Sequence, residues 1–379
     1  MIMGESISID ANYEVFKILT DEYANNSPQS QGLTQEEYVN AVSDPEISTT
    51  DVVYEGREFA IPQLSTVTAN QWLNNEFYHS KFPADYESGS LLHYVDIPNV
   101  IPGEKVTARL KELALNEGVL VFDYPTTDKD YPVRIQNLLS SLGINQHEVE
   151  PLGTQTYFAG QVTLKKDLVE PISPIASFGE AFQHVISDGE FDEARFQDGA
   201  SVQMLVGKED AEHMLTFYER AYEVLNNDPC TQGLDPEEFM AMMTEDETVT
   251  KIVRTVDGKI TALCLLENDL SKLSWINSDY YQQRYADKYK AGQVVYFPGL
   301  AADPTGDVGN NTQEMVSLIA ELAYKSNNEF LVVFDCCDKN TGFLDAFLEA
   351  MINETPQANI KIESIAAQKY CAIRTSVKQ

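Results

Sequence analysis

Apolar residues recur at helical spacing between positions 208 and 225, where Met214, Phe217, Ala221 and Leu225 fall on one face. The preceding stretch, 201–206, alternates as a strand does. A second helix is announced by Asp235-Pro236-Glu237-Glu238-Phe239-Met240. Aspartate is a good N-cap, proline fits the first helical position, and two acids suit the positive end of the helix dipole. The tight Asp257-Gly258 turn predicts a hairpin over 251–256 and 259–266. A polar, aromatic-rich excursion then carries Trp275-Ile276-Asn277 on a helix. An apolar strand over 293–301 leads through a Gly/Asp/Asn loop into an amphipathic helix over 312–325. A buried strand over 329–335, a helix over 342–352, and strands over 361–364 and 369–376 follow.

The same signals occur earlier in the chain. Trp72-Leu73-Asn74 with Phe77-Tyr78 returns as Trp275-Ile276-Asn277 with Tyr280-Tyr281, 203 residues later. Gln31-Gly32-Leu33 returns as Gln232-Gly233-Leu234, and the turn Glu55-Gly56-Arg57 as Asp257-Gly258-Lys259. Val121-Phe122-Asp123 matches Val333-Phe334-Asp335, and Gln155-Thr156-Tyr157 matches Gln368-Lys369-Tyr370. A unit this long, present twice, implies two domains of one fold and not a solenoid of short repeats. The boundaries expected are 5–164 for the first domain, 165–200 for a bridging linker with a helix over 179–187, and 201–379 for the second.

Composition narrows the function. Asp and Glu outnumber Lys and Arg 60 to 26, for a net charge of −34, which argues against nucleic-acid binding because phosphate contacts need clustered cations. An acidic field favours a cationic substrate or partner, and equally serves solubility. No apolar run approaches a membrane span, and the start lacks a secretory signal. Five cysteines, an odd number with Cys336-Cys337 adjacent, suggest reduced thiols and a cytoplasmic protein. The five histidines are scattered without metal-ligand spacing, and Cys336 has no neighbouring base, so a metal centre and a thiol nucleophile are both disfavoured.

The order of elements in the second copy resembles that of the GCN5-related N-acetyltransferase (GNAT) family. The resemblance is closest from Val294-Val295-Tyr296-Phe297-Pro298-Gly299-Leu300-Ala301-Ala302-Asp303-Pro304 through the loop Gly306-Asp307-Val308-Gly309-Asn310-Asn311 to a helix starting at Thr312. It implies an α/β (α+β) fold of two tandem domains, each a mixed central sheet flanked by helices. It also implies acetyl-CoA, or another acyl-CoA, as co-substrate. Backbone donors of Leu300 and Ala301 would hold the acyl carbonyl, and Gly306, Asp307, Val308, Gly309, Asn310 and Asn311 the pyrophosphate, since successive N–H groups at a helix N-terminus form an anion site. Asn340 fits the residue that opens the family's fourth helix. This chain departs from the family at Gly306, where Gln or Arg is usual, at Asn311, where Gly or Ala is usual, and at Asp307, a carboxylate beside the phosphates. Phe347 stands near the family's general-acid tyrosine and cannot donate a proton.

The first copy lacks about ten residues after Pro102 and has no such loop, so it reads as a supporting domain. Candidate acid–base groups in the second copy are Tyr296 on the fourth strand and Glu267 and Asp269 at the end of the third. Asp123 and Asp335 occur in both copies, which points to a shared structural role such as capping a turn. The function expected is acyl transfer from acyl-CoA to an amine of a small molecule or peptide, cationic acceptors included, with no nucleic-acid or membrane partner. The alternative is a catalytically inactive binding or scaffold protein of the same fold. A third reading, an acidic acyl-carrier protein as donor, fits poorly with so negative a surface. The acceptor and the oligomeric state are not encoded in any motif.

Overall fold

The computed structural model describes residues 9–24, 35–54, 57–70, 73–97, 100–146, 148–164, 200–203, 205–223, 227–229, 233–305, 311–312, 314–316, 319, 330–337 and 358–377. The first copy runs α1 (Ile9–Ala24), α2 (Gln35–Ser43), β1 (Ile47–Tyr54), β2 (Arg57–Thr66), α3 (Asn75–Lys81), α4 (Pro83–Ser88), β3 (Leu91–Tyr94), α5 (Glu104–Leu115), β4 (Val119–Pro125), α6 (Tyr131–Ser141), β5 (Ile144–Gln146) and β6 (Glu150–Leu164). The second runs β7 (Ala200–Gln203), α7 (Lys208–Tyr222), α8 (Pro236–Thr244), β8 (Val249–Val256), β9 (Lys259–Glu267), α9 (Ser278–Arg284), α10 (Ala286–Lys290), β10 (Val294–Ala302), β11 (Phe330–Cys337) and β12 (Ala358–Val377). Residues Asn311, Thr312, 314–316 and Ile319 are helical. The helices expected over 179–187 and 342–352 lie outside the described residues, as does Trp72.

Local chemistry explains most of these elements. Asp257 and Gly258 both take positive φ, 51° and 73°, as the two central residues of a tight hairpin turn of the mirror-image type do. Asp235 caps α8 by accepting the Glu237 N–H at 2.7 Å. The repeated aromatic motif has one role in both copies: Asn74 accepts the Phe77 N–H at 3.2 Å and Asn277 accepts the Tyr280 N–H at 3.2 Å, so each asparagine caps a short helix. Trp275 packs at the edge of the core beneath that helix, with Ile276, Tyr281 and Val333.

The strands of the two copies form one mixed twelve-stranded sheet in the order β1-β2-β3-β4-β12-β6-β11-β10-β9-β8-β7, with β5 beside β12. The copies have exchanged their last long strands. β12, from the second copy, lies against β4 of the first, and β6, from the first, lies against β11 of the second. β6 and β12 pair antiparallel at the centre, with Gln155 opposite Gln368, Thr156 opposite Ala367 and Thr154 opposite Lys369. Because Gln155 and Gln368 are equivalent in the repeat, a pseudo-twofold axis passes through that pair. The two strands expected at the end of the chain are one continuous strand, β12, with register shifts at Ser364/Ala366 and Tyr370/Cys371.

Each exchanged strand is built into the other copy's core. Cys371 and Ile373 of β12 pack with Leu64, Tyr94, Val106 and Phe122, while Tyr370 and Ala372 face the opposite layer with Leu73, Tyr78 and Val121. Tyr157 and Ala159 of β6 pack with Tyr281, Tyr296 and Val333. The shared aspartates turn out to secure this exchange. Asp335 accepts the Gln155 amide at 2.5 Å, and Asp123 accepts the Gln368 amide at 2.5 Å. Neither caps a turn through these bonds; each binds the strand donated by the other copy. Gln155 also accepts the Tyr370 hydroxyl at 3.0 Å. Gln155→Leu removes the amide donor from Asp335 and the acceptor of the Tyr370 hydroxyl. We expect a loss of about 1–3 kcal/mol in a urea-unfolding measurement, and an unchanged midpoint would refute this role.

Candidate functional site

β10 and β11 run parallel and pair at three positions, Val294 with Leu331, Val295 with Val332 and Tyr296 with Val333. Beyond Tyr296 they part. The register between β10 and β9 slips by one residue between Tyr296 and Gly299, a bulge formed at Phe297-Pro298. Proline has no N–H to offer a ladder, which favours the bulge at that point. Past it β10 follows β9, whereas β11 stays with β6 through Phe334, Asp335, Cys336 and Cys337. A wedge opens between the two parallel strands.

Leu300 presents its backbone to this wedge. Its N–H donates to the hydroxyl of Tyr222, in the last turn of α7, at 3.1 Å. The Tyr222 ring stacks on Tyr218 with centroids 4.3 Å apart, and the Tyr218 hydroxyl accepts the Leu234 N–H at 2.9 Å. A side chain at position 299 would meet the Tyr218 ring at 2.9 Å, so glycine lets the stacked tyrosines lie against the strand. Burial, against the lowering effect of the Leu300 and Tyr218 hydrogen bonds and with a smaller push from the Asp335 carboxylate, brings the Tyr222 phenol up to about 12. Ala301 is buried in the layer formed by α7 and α8.

Two guanidinium groups flank the loop that follows β10. Arg220 meets Asp303 at 3.3 Å where the loop begins. Arg254, 9% exposed, donates to Asn311 at 3.2 Å and to Thr261 at 2.8 Å, and forms an ion pair with Glu314 where the helical residues begin. Each guanidinium is matched by a carboxylate, Arg220 by Asp303 before the loop and Arg254 by Glu314 after it. Gly306, Asp307, Val308, Gly309, Asn310, Asn340 and Phe347 lie outside the described residues; Leu300, Ala301 and Asn311 lie within them.

The three acid–base groups named from the sequence do not converge. Tyr296 is fully engaged in the core, where its hydroxyl donates to Asp335, and burial next to that carboxylate holds the phenol well above its usual range. Burial raises Asp335 in turn, against the lowering effect of the Tyr296 and Gln155 hydrogen bonds. Glu267 stands opposite Tyr296 in the ladder, but its carboxylate turns to the Asp269 N–H at 2.6 Å and the Thr248 hydroxyl at 3.2 Å. Burial raises its pKa. Asp269 caps the short turn Leu270–Lys272, accepting the Ser271 N–H at 3.2 Å and its hydroxyl at 2.5 Å. Near Glu267 lies Lys251, fully buried, with its ammonium on the Asp246 carbonyl at 2.6 Å; desolvation lowers it to about 8.

Tyr222 and Arg254 are the groups that motif reading missed. Tyr222 sits in the last turn of an amphipathic helix whose spacing predicts core, and Arg254 is a lone cation inside a predicted hairpin. Only the wedge and the loop give either a function to serve. Among the described residues no group of three or more His, Cys, Asp or Glu could hold a metal ion, and no helix is long and apolar enough to cross a membrane.

No protein-family model and no curated protein matches the chain. Among solved structures it is similar to a tandem GNAT protein from the clavulanic acid biosynthesis pathway, at 11% identity and a TM-score of 0.42, over 97% of this chain and 96% of that one. It is also similar to an acetyltransferase of the GNAT family from Colwellia psychrerythraea, at 10% identity and a TM-score of 0.40, over 97% of this chain and 98% of that one. A third is a GCN5-related glucosamine N-acetyltransferase region of a fungal multi-domain GH3 β-N-acetylglucosaminidase, at 6% identity and a TM-score of 0.42, over 97% of this chain and 37% of that one. Likeness at these levels carries no information about substrate or activity.

Proposed function

We propose that this chain is an acyl-CoA-dependent N-acyltransferase of tandem architecture, with the donor held by the second copy. The observation that carries the reading is the wedge between β10 and β11, with the Leu300 N–H bonded there to a side-chain hydroxyl and not to the neighbouring strand. Acyl-CoA would supply an activated thioester. Leu300 is placed to donate its N–H to the acyl carbonyl oxygen, where an oriented donor stabilises the charge that develops during attack by an amine. The Tyr222 hydroxyl, already on that N–H, would yield its place there and remain beside the wedge to give its proton to the departing thiolate as the C–S bond breaks, recovering one from the amine nitrogen that has bonded to the acyl carbon, the part Phe347 cannot play. Arg220 and Arg254 fit the pyrophosphate end, with the Asp303 and Glu314 carboxylates as exchangeable partners. The acceptor is an amine, of small-molecule or peptide class.

The test is binding before turnover. Acetyl-CoA at millimolar concentration should raise the melting temperature of the full chain, as any ligand of the native state does. Arg254→Ala should weaken this binding at least tenfold, about 1.4 kcal/mol, through loss of a charge-assisted contact. No shift with acetyl-CoA or a longer acyl-CoA would sink the reading. The competing reading, a fold kept without the chemistry, draws on the same Tyr222–Leu300 bond, because a hydroxyl already fills the donor. Tyr222→Phe separates the two. In a transferase it should cut turnover about 100-fold with little effect on acyl-CoA binding, whereas in a scaffold there is no turnover to lose.

A further inference from the structure

We infer that Asp335 is where the acceptor arrives: its carboxylate holds the ammonium of an incoming primary amine and takes one of its protons. This rests on the acyl-CoA reading above and adds the acceptor's half of the site to it. Asp335 stands two residues beyond Val333, the last residue of β11 to pair with β10, so it lies where the wedge has opened. Strand side chains repeat every two residues, which puts Asp335 on the face that Val333 shares with Tyr281 of α9. Its neighbours on that face, Val333 and Cys337, are fully buried, whereas Asp335 is not. The Asp335 charge raises the phenols of Tyr296 on β10, Tyr222 on α7 and Tyr281 on α9. Of these, Tyr222 is the hydroxyl on the Leu300 N–H. An oxyanion donor, a proton donor and a carboxylate thus face one wedge.

Comparison with the first copy shows what this carboxylate lacks. Asp123 and Asp335 are held alike on Oδ2, each by a glutamine from the other copy's strand. On Oδ1 they differ. Asp123 has the His93 Nε2 at 2.7 Å, while Asp335 has the Tyr296 hydroxyl. His93 and Tyr296 are counterparts by register, because His93 opposes Val121 and Tyr296 opposes Val333. A histidine can carry positive charge beside a carboxylate, and a phenol cannot. Both side-chain bonds to Asp335 therefore come from neutral donors, and among the described residues no Lys, Arg or His pairs with it. A carboxylate has about four lone-pair sites, so two such donors leave room for an ammonium. In low dielectric an unpaired carboxylate attracts a cation. The first copy also closes its wedge. Arg134 of α6 spans the ends of β3 and β4, on Asp96 at 2.8 Å and on Asp128 at 2.7 Å. That copy is tied shut where the second is open.

The acceptor enters as an ammonium and gives one proton to Asp335. Burial raises this carboxylate above its ordinary range, which makes it a better base. The neutral nitrogen then bonds the acyl carbon as the C–S bond breaks. Tyr222 protonates the thiolate and takes the second proton from nitrogen, and Asp335 releases its own to water. The products are the amide, the free thiol of CoA and one proton. Gln155, contributed by the first copy, is the positioning residue of this carboxylate.

The test uses the full chain with acetyl-CoA, following CoA release with a thiol reagent. Acceptors are putrescine, ethanolamine and an N-acetylated lysine peptide. At least one should accelerate release, and Asp335→Asn should lower its kcat/KM about 100-fold or more while acetyl-CoA binding stays within about twofold. Asp123→Asn breaks the equivalent fastening in the first copy, so it should lose stability in the same way and keep kcat/KM within about threefold. Should Asp335→Asn fail to fold, the wild-type pH profile decides. With an ammonium bound to a carboxylate base, kcat/KM stays level between about pH 7 and pH 9. An amine that must first lose its proton to water gains about tenfold per unit instead, toward its own pKa of about 10. Turnover that is unchanged in folded Asp335→Asn, that falls alike in both variants, or that climbs throughout the wild-type profile overturns the proposal and leaves the acyl-CoA reading standing. No acetyl-CoA binding, or binding without release by any amine, sinks both.

Discussion

Neither copy, expressed alone, will be a folded monomer. A chain ending at residue 164 lacks β12, and with it the strand that lies between β4 and β6. It also loses Cys371 and Ile373 from one face of its core and Tyr370 and Ala372 from the other. Burial of a side chain of isoleucine's size is worth about 1.5–3 kcal/mol, with less from Cys371 and Ala372, against a total stability of about 5–15 kcal/mol for a domain. The far end of β12 is also fastened to the first copy. Arg374 meets Asp85 at 2.9 Å and donates to the Glu117 carbonyl at 2.8 Å, and Thr375 donates its hydroxyl to Gly118 at 3.0 Å. A chain starting at 201 suffers the converse loss, because β11 would have no β6 to pair with across eight residues. Size-exclusion chromatography and circular dichroism should show each fragment unfolded, aggregated or dimeric through its free strand, and the two co-expressed should form a 1:1 complex. A monomeric fragment of either copy with a cooperative melt would contradict the exchange.

The second large effect is a pH dependence set by Lys251. This side chain is fully buried, and desolvation lowers its ammonium from 10.5 to about 8 in the folded protein. In the unfolded chain it titrates near 10.5. Between these values the unfolded state holds a proton that the folded state has released, so stability rises with pH across that window. Each unit is worth about 1.4 kcal/mol, so the contribution grows by about 2 kcal/mol from pH 8 to pH 9.5. Lys251→Met removes the group from both states. Urea unfolding of wild type and variant at the two pH values should show the wild type gaining about 2 kcal/mol relative to the variant. Parallel behaviour of the two proteins would mean that Lys251 titrates as an exposed lysine does.

Much of the architecture was legible because short-range chemistry specifies it. The Asp257-Gly258 turn demands positive φ at both positions, the Asp235-Pro236 start is a helix cap, and the repeated asparagines after the tryptophan positions cap the same helix in each copy. The candidate site was legible in part. Leu300 was expected as a backbone donor, and the structure shows its N–H turned away from the β9 ladder, on Tyr222. Tyr296, Glu267 and Asp269 have residue types that suit acid–base work. Their actual partners, a buried aspartate, a neighbouring N–H and a helical turn, depend on packing that spacing does not encode.

The sequence alone pointed to the duplication and specified the locally encoded elements, such as the hairpin at Asp257-Gly258 and the capped helix at Asp235. Only the tertiary structure decided which copy each terminal strand belongs to. Gln155-Thr156-Tyr157 and Gln368-Lys369-Tyr370 are so alike that either segment satisfies the same neighbours, and a strand's two-residue periodicity states which face is buried but not beside whom. Strand pairing is settled by the whole sheet, where placing Gln155 opposite Gln368 brings each amide to the other copy's aspartate. The same exchange carries Gln155 to Asp335, at the edge of the wedge where acyl transfer is proposed.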